Sequence, residues 1–277
     1  MPELPDVESF RALAQRRFID DAVSRVAVPD PASLEGATEA TLRQRLKGRR
    51  LRSAHRHGKY LFLDFGEATV LAMHFGPAGS LRHIPAGQQE PDYVRFRLDF
   101  FDGQGLAYLN PRRIGRVRLI DDAAAFVKRM KLGPDALDAG FEADDFVALL
   151  VGRTRPIKLL LMDQSKLSGI GDTWSDEILF QARIDPTMPA AELDAARRRA
   201  LFRTIQSVLR EAIERDPSAE DFLERLPSGF LLPHRHPGGH CPRRGGDPRR
   251  VKLGGHTATY CPRCQQPEPG RRGSRSG

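Results

Sequence analysis

The stretch MDQSKLSGIGDTWSDEILFQA, residues 162–182, decides how the rest of this chain is read. IKLLLMDQ (157–164) before the turn and TWSDEILFQAR (173–183) after it both have helical spacing, and the glycines of KLSGIGD between them mark a turn ending at a helix start. A glycine-rich turn leading into a helix presents backbone N–H groups to an anion, and Lys158 and Lys166 flank it. The same glycines would serve an ordinary helix–turn–helix by permitting close packing, so the turn alone does not choose. Asp172 is a good N-cap through its side-chain oxygen, but a carboxylate aimed at a phosphate repels it.

Further helices surround this pair: DDFVALLVG (144–152) upstream, AAELDAARRRALFRTIQSVLREAIE (190–214) and AEDFLERL (219–226) downstream. N-terminal to KLGPDAL (131–137) the texture differs. VESFRALAQRRF (7–18) has helical spacing, and from about Ala22 to Ile120 the apolar pattern has period two. In YVRFRLDF (93–100), Val94, Phe96, Leu98 and Phe100 face one way and Arg95, Arg97 and Asp99 the other. KYLFLDF, TVLAMHF and RVRLI add strands, which together suggest a sandwich. Around 227–239 the composition shifts to Pro, Gly and His, and a short cysteine-bearing module follows. No internal repeat is visible.

A chain of 277 residues and 30.9 kDa accommodates two domains, at ~100–150 residues each. No apolar run approaches the ~20 residues needed to span a bilayer, and the start lacks the regions of a signal peptide, so a cytoplasmic protein is expected. Three cysteines confined to 241–264 are not a disulfide framework. The formal charge of +8 is concentrated: residues 230–277 hold ten Lys/Arg against Asp247 and Glu268, leaving the remainder balanced. Such a segment attracts polyphosphate, although GRRGSRSG at its end reads as a solvated, disordered tail.

HCPRRGGDPRRVKLGGHTATYCPRC (240–264) contains one complete CxxC, Cys261 and Cys264, which suits half of a tetrahedral zinc site. The other half offers only Cys241, because Arg244 stands where its mate belongs. His234, His236 and His240 lie nearby, and the spacing selects none of them; a metal-free hairpin is the alternative. So small and polar a segment needs either metal or other support. At the other end, MPELPDVE places Pro2 where removal of Met1 exposes a secondary amine beside Glu3. Lys59 begins a strand in HGKYLFLDF, and NPRRIGR (110–116) sets Arg112, Arg113 and Arg116 on a turn and strand suited to phosphate.

Taken together, PELPDVE, GKY, HFGPAGSLR, NPRRIGR, KLGPDAL, MDQSKLSGIGDTWSDEILFQA and CPRCQ resemble, in order and from Pro2 to Gln265, the formamidopyrimidine-DNA glycosylase/endonuclease VIII family. The resemblance implies an α+β multidomain protein: an N-terminal β-sandwich domain (2–125), a helix–two-turn–helix domain (132–228), a C-terminal zinc-finger-like β-hairpin (232–266) and a disordered basic tail (267–277). It implies excision of oxidised or ring-opened bases from damaged double-stranded DNA, with DNA bound between the domains. The Pro2 amine attacks C1′, Glu3 serves as acid/base, and Lys59 assists base loss and strand nicking. It further implies a bacterial-type, nucleoid-associated monomer with structural zinc on Cys241, Cys261 and Cys264 plus an unknown fourth ligand, His240 or His236, and no small-molecule cofactor.

The departures fall on the DNA side. Pro77 replaces a methionine and Ile114 a phenylalanine that, with Arg112, fill the gap left by a flipped base. Asp172 replaces an asparagine, His256 a phosphate-gripping arginine, and Arg244 a zinc cysteine. Lys158 is retained among the expected DNA-binding residues. Altered lesion preference, weaker duplex grip and poorer δ-elimination are the expectations. A lesion-binding protein without turnover, or a general basic zinc-module binder, would not need the Pro2 amine.

Overall fold

Helix α1 (Leu4–Phe18) buries Val7, Phe10, Ala14 and Phe18, a three-to-four-residue spacing that turns one face wholly inward. Each large apolar side chain so buried contributes roughly 1.5–3 kcal/mol. This computed structural model describes residues 1–266; the tail expected to be disordered, 267–277, lies outside the described residues. The described chain forms two compact units, Met1–Asp135 with Asp216–Ser218, and Ala136–Arg215 with 219–266.

The first unit contains β1 (Val23–Ala27), β2 (Leu34–Glu35), α2 (Glu39–Leu46), β3 (Ser53–His57), β4 (Tyr60–Asp64), β5 (Val70–His74), β6 (Ser80–Ile84), β7 (Val94–Phe100), β8 (Gly105–Leu109), β9 (Arg116–Ile120) and α3 (Ala123–Arg129). One antiparallel sheet has the order β1–β7–β8–β6; the other runs β2–β9–β5–β4–β3, parallel only at β2–β9. Strand β7 alternates as its pattern requires, with Val94, Phe96, Leu98 and Phe100 buried. Strand β8 is buried at every position because its alternate residues meet different clusters. Leu106 and Tyr108 join the main core with α1, whereas Ala107 and Leu109 pack with Ile84 and Val94. Phe126 of α3 similarly packs with Phe62, Val70, Ala72 and Ile120.

Helix α2 falls inside the stretch whose pattern suggests strands throughout. It forms because Thr38 caps it, accepting from the Thr41 amide at 3.2 Å, and because Leu42 and Leu46 are one turn apart and buried.

The second unit contains α4 (Ala143–Leu150), α5 (Ile157–Leu161), α6 (Asp172–Gln181), α7 (Ala195–Glu214), α8 (Phe222–Arg225) and the hairpin of β10 (Arg249–Leu253) and β11 (His256–Tyr260). The long helix starts later than its spacing suggests. Asp194 caps it by accepting from the Arg197 amide at 2.8 Å, and Ala190–Glu192 forms a separate 3₁₀ turn. Among the described residues no helix is long and apolar enough to cross a membrane.

Helix α6 is buried from Trp174 to Phe180, including Ser175, Asp176 and Glu177. These carboxylates hold the C-terminal segment. Asp176 Oδ2 accepts from the Thr259 amide at 2.8 Å, and Glu177 accepts from the amides of Leu231 and Leu232 at 3.1 and 2.7 Å. Arg243 lies 4.4 Å from the Phe180 ring centroid and donates to the Phe180 carbonyl at 2.9 Å. Gln265 donates to the Ile184 carbonyl at 2.8 Å. Helix α6 and the residues just after it thus supply part of the support that so small a module needs.

Candidate functional site

Glu3 is the N-cap of α1 and is almost wholly buried. Its side chain accepts from the helix's third amide, while Asp6 reaches back to accept from the Glu3 amide at 2.8 Å. This reciprocal capping box ties down the backbone directly after Pro2. Burial, together with the charge of Glu3, pushes the Asp6 carboxyl up to about 6 despite the hydrogen bond from the Glu3 amide.

Lys59 occupies a two-residue turn joining β3 and β4, across which His57 and Tyr60 pair. Gly58 supplies the turn's positive φ of 57°. Asp135 holds this turn, accepting from the Gly58 amide at 2.6 Å and forming a two-pronged pair with Arg56. Arg56 also donates to Glu8 of α1 at 3.1 Å, and His57 Nε2 lies 2.8 Å from the Gly133 carbonyl. Lys59 is itself buried, 7% exposed. At the end of β5, burial and the positive charge of Lys59 lower His74 to about 4. Its Nδ1 accepts from the Gly76 amide at 3.3 Å, so the neutral ring carries its proton on Nε2. His74 was not among the candidates drawn from the sequence; its place at the head of HFGPAGSLR was the available signal.

The loops HFGPAG and NPRRIG lie against one another. Tyr108 Oη donates to the His74 carbonyl at 3.1 Å, and Asn110 Nδ2 donates to the Phe75 carbonyl at 3.2 Å. A Cβ on Gly76 would stand 2.8 Å from the Gly115 nitrogen, and one on Gly115 would collide with Tyr108 Oη and Asn110 Nδ2. Both glycines are thus required by close backbone approach. Beyond this contact Arg112 and Ile114 are exposed and Pro77 is half-buried. Arg113, at φ 57°, turns aside to Asp30, with Nε 3.1 Å from Oδ2.

In the second unit Gln164 staples the glycine turn. Its amide donates to the carbonyls of Met162 and Ile170 at 2.8 and 2.7 Å and accepts from the Gly169 amide at 3.0 Å. Lys158, expected from the sequence to contact DNA, is engaged within the protein itself. The side chain is fully buried, with Nζ 2.6 Å from Asp176 and 3.1 Å from Asp172. It also donates to the Asp172 carbonyl at 3.0 Å. Arg235 completes the cluster, 2.9 Å from Asp176 and 3.7 Å from Asp172. Asp172 is therefore less repulsive towards a phosphate than its formal charge suggests, because it belongs to a cluster in which two cations balance two carboxylates. Gly171, rather than Asp172, occupies the N-cap position. His256 is exposed where the hairpin turn re-enters the sheet, after Gly254 and Gly255 at φ 51° and 85°.

The Sγ atoms of Cys241, Cys261 and Cys264 all lie within 4.8 Å of one another, with Cys241 and Cys264 3.6 Å apart. Neither expected histidine joins them: His240 Nδ1 lies 3.0 Å from Asp247, and His236 Nδ1 lies 3.0 Å from the Pro237 carbonyl. Burial and the neighbouring thiols push Cys264 up to about 12. The donor set fits a thiophilic ion such as zinc.

A model of the formamidopyrimidine-DNA glycosylase N-terminal domain matches residues 1–117, and one of that enzyme's H2TH domain matches residues 132–222. The formamidopyrimidine-DNA glycosylase of Stutzerimonas stutzeri (strain A1501) is 34% identical over 272 residues, spanning 96% of this chain and 100% of that protein. That of Methylococcus capsulatus is 35% identical over 280 residues, with the same two coverages. The Lactococcus lactis glycosylase, solved non-covalently bound to DNA containing an AP site, superposes with a TM-score of 0.85 at 26% identity, covering 96% of this chain and 100% of that one. With its capped Pro2–Glu3 terminus, paired glycine loops and carboxylate-anchored hairpin, this chain belongs to the formamidopyrimidine-DNA glycosylase family.

Proposed function

We propose that this chain is a bifunctional DNA glycosylase/AP lyase of base excision repair, acting as a monomer on oxidised or ring-opened bases in duplex DNA. The observation that carries the reading is the capping box that fixes Glu3 and the backbone adjoining Pro2. Once Met1 is removed, the Pro2 nitrogen attacks C1′ of an extruded nucleotide. The glycosidic C1′–N bond breaks, and its electron pair leaves with the base. Glu3 protonates the sugar-ring oxygen as the ring opens, and the secondary amine becomes an iminium. Loss of a C2′ proton then expels the 3′ phosphate by β-elimination, and hydrolysis of the iminium returns the amine.

Lys59 assists base loss and elimination, and its turn is held for this purpose by Asp135. Neutral His74 offers an Nε2–H donor near Lys59, where an imidazolium would add a second positive charge. Arg112, Ile114 and Pro77 take the space of the flipped base, and His256 and the 169–172 turn meet phosphates. The three cysteines hold a structural zinc ion that stiffens the hairpin. The bacterial relatives support a site of action on the nucleoid.

The deciding experiment exposes abasic and 8-oxoguanine duplexes to the Met1-free protein under borohydride. A covalent adduct that disappears when Pro2 is acetylated supports the reading. Lesion-selective binding without an adduct would assign the chain to damage recognition without turnover.

A further inference from the structure

The two turns of the cysteine module are built alike. In CPRRG the Gly245 amide donates to the Cys241 carbonyl at 2.8 Å; in CPRCQ the Gln265 amide donates to the Cys261 carbonyl at 2.9 Å. Arg244 therefore occupies in the first turn the place that Cys264 occupies in the second. The missing sulfur is a change of side chain on a turn that keeps its form. Among the described residues no histidine or carboxylate moves in to replace it.

The surroundings of the trio are asymmetric. Phe180 and Leu231 pack against Cys241 and Cys261, which are buried. Cys264 is only partly covered and borders a cavity of about 370 Å³ whose other lining residues are Arg183, Arg243 and Arg244. No acidic residue lines it. Arg243 is committed to the Phe180 ring and carbonyl, whereas Arg183 and Arg244 are exposed.

We propose that the finger binds its divalent ion through three thiolates and leaves a fourth coordination position open to the Arg183–Arg244 cavity, where a small exogenous anion completes the tetrahedron. The proposal rests on the reading that the finger holds zinc. Three protein ligands leave a tetrahedral ion one position for an outside donor. Three thiolates around a divalent cation carry a net negative charge, which would disfavour an anionic fourth ligand in isolation. The two guanidinium groups offset that charge and raise the local anion concentration.

The test uses the full chain loaded with cobalt(II), a spectroscopic stand-in for zinc, with sodium azide as the anion probe. Metal content is measured first. The expected result is one ion per chain and a tetrahedral ligand-field spectrum that shifts saturably with azide. Arg244→Ala should weaken azide binding about tenfold, the scale of one charge-assisted contact. Arg244→Cys should abolish the shift by closing the site, and circular dichroism checks that this variant folds. Bound cobalt whose spectrum ignores azide would overturn the open position while leaving metal binding intact. Failure to bind either zinc or cobalt would overturn both readings.

Discussion

The ammonium of Lys158 lies 2.6 Å from Oδ1 of Asp176, and both side chains are fully excluded from solvent. The carboxylate's other oxygen takes the Thr259 amide and Arg235, so this pair joins helices α5 and α6 to the hairpin. Breaking a buried pair from one side strands a charge and costs about 3–5 kcal/mol. Asp176→Asn should lose about 3 kcal/mol in denaturant unfolding. Lys158→Met combined with Asp176→Asn should lose less than Asp176→Asn alone, because no uncompensated charge remains; a double-mutant cycle with strictly additive losses would contradict this account.

Asp6 carries the opposite pH signature to an ordinary surface carboxylate. Its folded pKa of about 6 exceeds the ordinary aspartate value of 3.8, so between about pH 4 and 6 the native state binds more proton than the unfolded chain. Its contribution to stability is complete at low pH and declines as pH rises through that window. Asp6→Asn keeps an oxygen acceptor for the Glu3 amide but has no charge to desolvate. It should raise stability at pH 7.5, by at most about 3 kcal/mol, and leave pH 4 unchanged. Urea melts at the two pH values measure the difference.

His74, lowered from 6.5 to about 4, should remain neutral at pH 5.5. Its contribution to stability falls as pH drops from about 6.5 towards 4, where the unfolded chain takes up the proton first. Nitrogen-15 NMR of the imidazoles at pH 5.5 should show one neutral Nε2–H tautomer, absent from His74→Gln. An imidazolium signal at that position would remove its assignment as a neutral donor.

Ile114 is 58% exposed at the tip of its loop, so changing it disturbs no core. Ile114→Phe should alter stability by less than about 0.5 kcal/mol. An aromatic face able to stack on a base should tighten binding to an abasic duplex by about 1 kcal/mol. Fluorescence anisotropy at fixed salt reads the change, and unaltered affinity would place this tip away from the base stack.

Legibility in the sequence followed the range of the interaction. Strand β7 was readable because Val94, Phe96, Leu98 and Phe100 alternate, and α6 because turn and helix signals are adjacent. The short helix α2 was not, since Leu42 and Leu46 are too few to break a period-two impression. The pairing of Arg56 with Asp135 spans 79 positions and has no local signature. Lysine usually lies at a surface, so nothing near Lys158 announced its burial; that required two aspartates and an arginine brought in from α6 and from residue 235. The three cysteines were countable, but the engagement of His236 and His240 elsewhere depended on how their loop closes.

The anchoring of Thr259 by Asp176, 83 residues earlier, also bears on how such a module can change over generations. Where metal alone organises a finger, every ligand is under strict selection, because losing one unfolds the whole. Here a carboxylate inside a helix holds one strand of the hairpin by its backbone, through a contact that involves no sulfur. With that attachment in place, an arginine at position 244 removes a sulfur without removing the arm's hold on the helix.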